Sequence, residues 1–304
     1  MSLNFLYPRE VVWTPAQRIE AFHLAFLQVF AAGARKQRCI LKGGANLRYF
    51  FGSIRYSNDI DLDAIAVKDW RIEDAVDQAL ASAALSRILQ TLDIGIEPGS
   101  IGKPKQTATT RRWRLGLIAP SMSAGDAVRT TIELSARGDG SDDRELAPVP
   151  ALVVRPYGLL APTVMHYRIR AALEQKVAAL AERSQTKARD VFDLDLLFRL
   201  HDREAKPRAL AAPKAELAAE RGIALTDADF ETQVVPFLDP DVAEIYVGRW
   251  PEICESVAGR LLELVASAVE VDRPDREASP DYIDVATLHP PVKSSSPDAP
   301  GGGR

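Results

Sequence analysis

The sequence predicts an α+β fold, with strands and helices mixed in an N-terminal domain and a mostly helical C-terminal domain behind it. Three observations lead there. Strand-like runs at 39–41, 58–66, 107–118 and 128–136 all lie in the first half. From Ala161 to about Ala268 the apolar residues recur at helical spacing, helix after helix. Between the two, four prolines crowd into the stretch Pro148 to Pro162 and mark a boundary. The chain thus divides into residues 1–155, 156–270 and a tail, 271–304.

The elements follow in order. Thr14-Pro15-Ala16-Gln17 is a capping box with proline at the first helical position. Ile19, Phe22, Phe26, Val29 and Phe30 then keep helical spacing, and Gly33 ends the run. Cys39-Ile40-Leu41 is a short apolar strand leading into a Lys42-Gly43-Gly44 turn. Ala45 to Phe51 reads as a short helix stopped by Gly52. From Asn58 to Ala66, Ile60, Leu62 and Ala64 alternate with Asp59, Asp61 and Asp63, which is strand periodicity. A helix is expected from about Trp70 to Leu92, then two neighbouring strands, 107–118 and 128–136. The tail holds six of the 20 prolines, three glycines and four serines, a composition that cannot bury enough surface to offset its ordering entropy.

Composition narrows the function. With 38 Lys and Arg against 42 Asp and Glu, the net charge of −4 argues against a generally basic nucleic-acid protein but leaves room for a local basic groove. No run of 18 apolar residues suggests a membrane span. Met1 to Tyr7 lacks a secretory pattern, so the cytoplasm is the expected compartment. Two cysteines are too few for a disulfide framework or a structural zinc site.

The chemistry concentrates between Lys42 and Asp63. Two glycines between a strand and a helix let the backbone approach a phosphate, and the helix N-terminus offers it free N–H groups. Asp59 and Asp61 point to one face of their strand, where two carboxylates can hold Mg²⁺. Competing readings fail on the residues. An EF-hand needs Gly and Glu where Ala64 and Trp70 stand. A P-loop fails because Gly102-Lys103 is followed by Pro104 and preceded by Glu97 at the first glycine position. G-x-S-x-G is missing. An aspartate-nucleophile phosphatase would leave the upstream Lys-Gly-Gly unexplained.

The run Leu41-Lys42-Gly43-Gly44, Leu47, then Arg55-Tyr56-Ser57-Asn58-Asp59-Ile60-Asp61-Leu62 resembles the AbiEii/AbiGii toxin family. So does a second motif, a helical Lys176 followed by Arg189-Asp190-Val191-Phe192-Asp193-Leu194. The resemblance spans roughly residues 10 to 200. It implies a polymerase-β-like nucleotidyltransferase core in a toxin of bacterial toxin–antitoxin and phage-defence systems, with an NTP as substrate and a cognate antitoxin as partner. It further implies that Asp59 and Asp61 bind Mg²⁺, or Mn²⁺ in its place. Lys42, Gly43, Gly44 and Ser57 would lie near the phosphates, Lys176 would face the triphosphate, and Asp190 is the later catalytic acid. The wider superfamily usually has serine where this chain has Ala45, so Ser57 is the candidate to supply the phosphate-binding hydroxyl. Glu133 is the best-placed third metal carboxylate.

Plainer roles exist for each of these residues. Lys176 alone reads as a solvated lysine on an Ala-rich helix, Asp190 as an acid at a helix start, Ser57 as a turn initiator. Glu133 could pair with an arginine on the next strand, and Arg189 could form a surface ion pair. Two same-face carboxylates, by contrast, repel and need a cation.

Local charge bears on the acceptor. Residues 103–114 carry Lys103, Lys105, Arg111, Arg112 and Arg114 with no acid, and Trp113 among them. Residues 161–190 carry Arg168, Arg170, Lys176, Arg183, Lys187 and Arg189 against Glu174, Glu182 and Asp190. These stretches could form a groove for an RNA backbone, with Trp113 stacked on a base. With the resemblance, that favours NMP transfer to the tRNA 3′ end and a block of translation. The alternatives are transfer to a protein side chain, such as the antitoxin's, and a nucleotide-binding module without catalysis.

Overall fold

The computed structural model describes residues 13–32, 38–65, 71–107, 109–119, 127–138, 143–201 and 212–271. The expected tail from 272 onward and Gly33 lie outside the described residues. Among the described residues no helix is long and apolar enough to cross a membrane.

Helix α1 (Pro15–Phe30) starts at the capping box: Thr14 accepts from the Gln17 N–H, and the Gln17 side chain accepts from Thr14. β1 (Cys39–Lys42) passes without a loop into α2 (Gly43–Phe50), so the glycines begin the helix and do not form a separate turn. β2 (Asp59–Ile65) is the alternating strand. The expected 70–92 helix is two, α3 (Arg71–Leu80) and α4 (Ala83–Thr91). The break comes at Ser82, whose side chain caps α4 by accepting from the Leu85 N–H at 3.1 Å. Such a cap competes with helix continuation.

Among the described residues the sheet has eight strands. To β1 and β2 are added β3 (Gly95–Ile96), β4 (Gly102–Gln106), β5 (Thr110–Ile118), β6 (Val128–Gly138), β7 (Arg144–Pro148) and β8 (Thr163–Tyr167). Their order is β3-β5-β6-β2-β1-β8-β7, with β4 pairing β5. The expected 107–118 strand therefore begins at Thr110, after a tight turn closed by the Thr107 N–H on the Thr110 carbonyl at 2.9 Å. β8 corrects the all-helical reading after Ala161. It runs parallel to β1, between β1 and the edge strand β7, so the sheet takes residues from both sides of the expected boundary at 155. Its residues, Thr-Val-Met-His-Tyr, are good strand formers that the helical run around them hides.

Two cores result. One lies between the sheet and α1, α3 and α4, built on the stacked Phe22, Phe26 and Phe30. Trp113 is part of it, fully buried, with its indole N–H donating to Asp77 at 2.8 Å. It is thus no stacking platform for a base. After the short α5 (Ala151–Val154), the second core is helical: α6 (Ile169–Glu182), α7 (Ala188–His201), α8 (Ala212–Ile223), α9 (Asp227–Gln233), α10 (Pro240–Tyr246) and α11 (Trp250–Val271). α2 joins the two, with Ala45 and Tyr49 in the first core and Leu47 in the second.

A buried chain of hydrogen bonds ties α1 to the head of β2. His23 Nε2 lies 2.7 Å from Thr130 Oγ1, and the Thr130 hydroxyl donates to the Asn58 carbonyl at 2.7 Å. Thr130 has given its proton to Asn58, so the imidazole Nε2 must be the donor in this pair. Burial pushes the His23 pKa down to about 3, from 6.5. Between those values the unfolded chain binds a proton that the folded chain does not, so stability falls as pH drops through the window. We expect the melting temperature to fall more steeply between neutral pH and about pH 4 in the wild type than in His23→Gln. Equal slopes in the two proteins would show that His23 is not held neutral.

Candidate active site

The register of three strands builds the site. In the antiparallel β1–β2 pair Lys42 stands opposite Asp61, and in the parallel β2–β6 pair Asp61 stands beside Glu133 and Asp59 beside Thr131. Asp61 is therefore flanked on one side by a cation and on the other by a carboxylate. Burial and the neighbouring Asp59 charge raise its pKa to about 6; Glu133 adds to the rise, while Lys42 and Lys176 oppose it. Crowded carboxylates of this kind are relieved by a cation.

The glycines allow a close approach. Gly43 has φ +69°, and a Cβ there would stand 2.7 Å from Asp61 Oδ2. A Cβ on Gly44 would stand 2.8 Å from Ser57 Oγ and 2.9 Å from Arg55 Nη2. The start of α2 is pressed against β2 and against the segment before it. No side chain caps α2, which leaves its first N–H groups for an anion.

Gly43, Gly44, Ser57, Asp59, Asp61, Glu133, Lys176 and Asp190 all line one cavity of about 520 Å³. The structure thus brings together every expected site residue except Lys42. The Lys42 ammonium is instead ion-paired with Asp63, which also accepts from the Tyr167 hydroxyl at 2.9 Å. The three alternating acids share a face but not a fate, since Asp63 is buried and satisfied away from this cavity. Ser57 Oγ donates to the Asp59 carbonyl at 2.9 Å, so it must turn before it can donate to a phosphate.

Lys176 is not a solvated lysine. Its ammonium lies 2.8 Å from Asp190 Oδ1 and 2.7 Å from Asp193 Oδ2, with 12% of the side chain exposed. Burial opposes its charge, but Asp190 and Asp193 prevail and its pKa is raised. Asp193 also accepts from Arg55 through both guanidinium Nε and Nη2, at 2.8–3.1 Å. Burial would lift the Asp193 pKa, but Arg55 and Lys176 hold it below the usual carboxylate range. Arg183 Nη1 stands 3.1 Å from Asp190 Oδ2. Arg55 and Asp193 both lie inside the two motifs, yet sequence alone assigns neither a role. They are 138 residues apart, and spacing alone cannot pair them.

The basic stretches contribute differently than expected. Among the described residues of the first, Arg112 and Arg114 line the cavity, while Lys103 pairs with Asp77 at 2.6 Å. Arg112 binds Glu133 through Nε at 2.9 Å, the cross-strand pair that was the plainer reading of Glu133. Of the second stretch, Lys176, Arg183 and Arg189 line the cavity. Arg168 pairs with Glu145 at 3.1 Å and Arg170 with Asp143 at 3.6 Å, on the β7 side. Arg189 lies 5.1 Å above the Phe237 ring, in a setting where burial and the nearby Arg55 lower its pKa.

The donor set fits a hard divalent cation. Asp59, Asp61 and Glu133 offer only carboxylate oxygens to the cavity, which suits a hard cation and not a soft metal. Among the described residues no three acids converge on one point, and Glu133 is bound by Arg112.

The chain resembles known proteins in sequence and in fold. The model of the nucleotidyl transferase AbiEii toxin family, type IV toxin–antitoxin system, matches residues 25–270. A candidate nucleotidyltransferase from H. pylori superposes with a TM-score of 0.57 at 17% identity, covering 86% of this chain and 100% of its own. JHP933 from Helicobacter pylori gives 0.52 at 15% identity, with 86% and 100% covered. These two share the fold. The nucleotidyltransferase toxin MenT4 from Mycobacterium tuberculosis gives 0.49 at 16% identity, with 86% and 94% covered. A search of curated proteins found no significant match.

Two glycine variants test the close approach at Asp61. Gly43→Ala should lose about 2–4 kcal/mol in urea unfolding, combining left-handed strain with the clash on Asp61. Gly52 has φ +68° and open space around it, so Gly52→Ala should lose only the backbone share, about 1–2 kcal/mol. Equal losses would mean that α2 does not press on Asp61.

Proposed function

We propose the substrates and the residue roles for a chain that belongs to the AbiEii family of nucleotidyltransferase toxins of type IV toxin–antitoxin systems. As a member of that family it is a nucleotidyltransferase that uses an NTP and has an antitoxin partner. Our reading is that it transfers NMP, with Mg²⁺, to a hydroxyl of RNA, with the tRNA 3′ end as the favoured acceptor. One observation carries it: three carboxylates on adjacent strands face a cavity walled by arginines and opened by a glycine-started helix.

The roles follow from placement. Asp59 and Asp61 hold the cation, and Glu133 joins them once Arg112 lets it go. The bound ion would lower the acceptor hydroxyl's pKa and offset charge on the phosphates. The first N–H groups of α2 and the guanidinium groups of Arg114 and Arg189 receive the triphosphate. Lys176, already fixed between Asp190 and Asp193, keeps its positive charge facing the leaving pyrophosphate. Asp190 acts by holding Lys176 and Arg183 in place. Lys42, bound to Asp63, acts on Asp61 by its charge alone.

Incubation of total cell RNA and protein with each labelled NTP tests the acceptor. Label in tRNA supports the reading, and label in protein alone moves the acceptor to a side chain. Asp61→Asn should abolish transfer while its melting temperature holds or rises, because the substitution removes a carboxylate whose neighbours repel it. Wild-type transfer by this variant would remove Asp61 from the metal site.

A further inference from the structure

A second cavity, of about 640 Å³, adjoins the first. Gly43, Asp61, Glu133, Lys176 and Arg183 form the wall between them. β2 runs from one chamber to the other: Asp59 faces only the first, Asp61 both, and Asp63 only the second. From Asp59 to Asp63 an extended strand covers about 13 Å, so the chambers lie on opposite sides of Asp61.

Charge separates them too. The wall of the first chamber alone carries Arg55, Arg112, Arg114 and Arg189 against Asp59 and Asp190; Arg55 is held by Asp193 and Arg112 by Glu133, which leaves Arg114 and Arg189 for a ligand. The wall of the second alone carries Lys42 against Asp63 and Glu182, and Lys42 is spent on Asp63. The rest of that wall is uncharged: Leu47, Ala172, Gln175, Ala178 and Ala179. A polyphosphate belongs with the arginines. Displacement at phosphorus sets the entering and leaving oxygens roughly in line, on opposite sides of the transferred group. With pyrophosphate leaving into the first chamber, the hydroxyl arrives from the second.

We propose that the second cavity is the acceptor subsite and that it takes the terminal nucleoside of an RNA strand. The inference rests on the nucleotidyl-transfer reading above. A nucleoside is neutral, carries hydroxyls that Gln175 can bond, and has a flat apolar face for Leu47 and the α6 alanines. The volume suits a group of that size and is far more than a serine or threonine side chain fills. The hydroxyl oxygen bonds to the α-phosphorus and the bond from that phosphorus to its bridging oxygen breaks. Pyrophosphate leaves on the arginine side, and the hydroxyl proton is lost to solvent.

Plugging the chamber from α6 tests this. In the full chain with Mg²⁺, Ala178→Phe should leave the affinity for a fluorescent NTP analogue within about twofold while kcat/KM for tRNA falls at least about tenfold. Ala178→Leu, a smaller plug, carries the test if the phenylalanine lowers the melting temperature. Unchanged acceptor kinetics, or NTP affinity falling in parallel with them, overturns the assignment. So does a wild type that labels protein and not RNA, with the plug abolishing that label, since the occupant is then a side chain. Failure of the underlying reaction shows separately, in an unmodified protein that transfers NMP to nothing, and takes the nucleoside assignment with it.

Discussion

The site depends on one buried cluster of charges. Arg55, from the segment before β2, and Lys176, from α6, meet on Asp193 of α7, and Lys176 also holds Asp190. Arg55 and Asp193 are 3% and 0% exposed, so each charge is stable there only because the other is present. Removing one partner of such a pair costs about 3–5 kcal/mol. The same guanidinium fills the space that Gly44 leaves open. Glycine, arginine, aspartate and lysine are therefore successive contacts in one line. That line fixes the helical half against the sheet half, and the cavity is walled by both. Two further contacts reinforce it: the Tyr56 N–H donates to the Phe237 carbonyl at 2.8 Å, and Arg189 lies over the Phe237 ring.

Local signals were legible in the sequence. The capping box, the strand running into the glycines and the alternation of β2 each depend on residues a few positions apart, and all are present. What depends on distant partners was not. β8 is a strand because β1 and β7 flank it, and its five residues carry too little pattern to stand out beside a helical run. Lys176 is buried because α7 packs against α6, which an Ala-rich helix with no wide apolar stripe does not announce. Trp113 looked like part of a basic surface because its neighbours are arginines, yet strand alternation sends it to the core and them to the cavity.

The same alternation explains how one strand serves several purposes. Asp59, Asp61 and Asp63 point one way, and their surroundings separate them. Asp59 opens on the arginine-lined chamber, Asp61 stands between Lys42 and Glu133, and Asp63 is neutralised by Lys42 and Tyr167. Lys42 thus shields the pair from a third like charge. Arg112 does the same for Glu133 from the neighbouring strand. Asp63 and Glu133 each have a cationic partner, and the remaining repulsion, between Asp59 and Asp61, centres on Asp61, where a cation would relieve it most.

The central claim is that the buried charge cluster makes the nucleotide site by holding the two halves together. A double-mutant cycle with Arg55→Met and Asp193→Asn, read by NTP titration and by urea unfolding, tests it most directly. The account predicts that each single variant loses both stability and NTP affinity and that the two couple by about 1–3 kcal/mol. Additive effects, or single variants that bind NTP like the wild type, would contradict it.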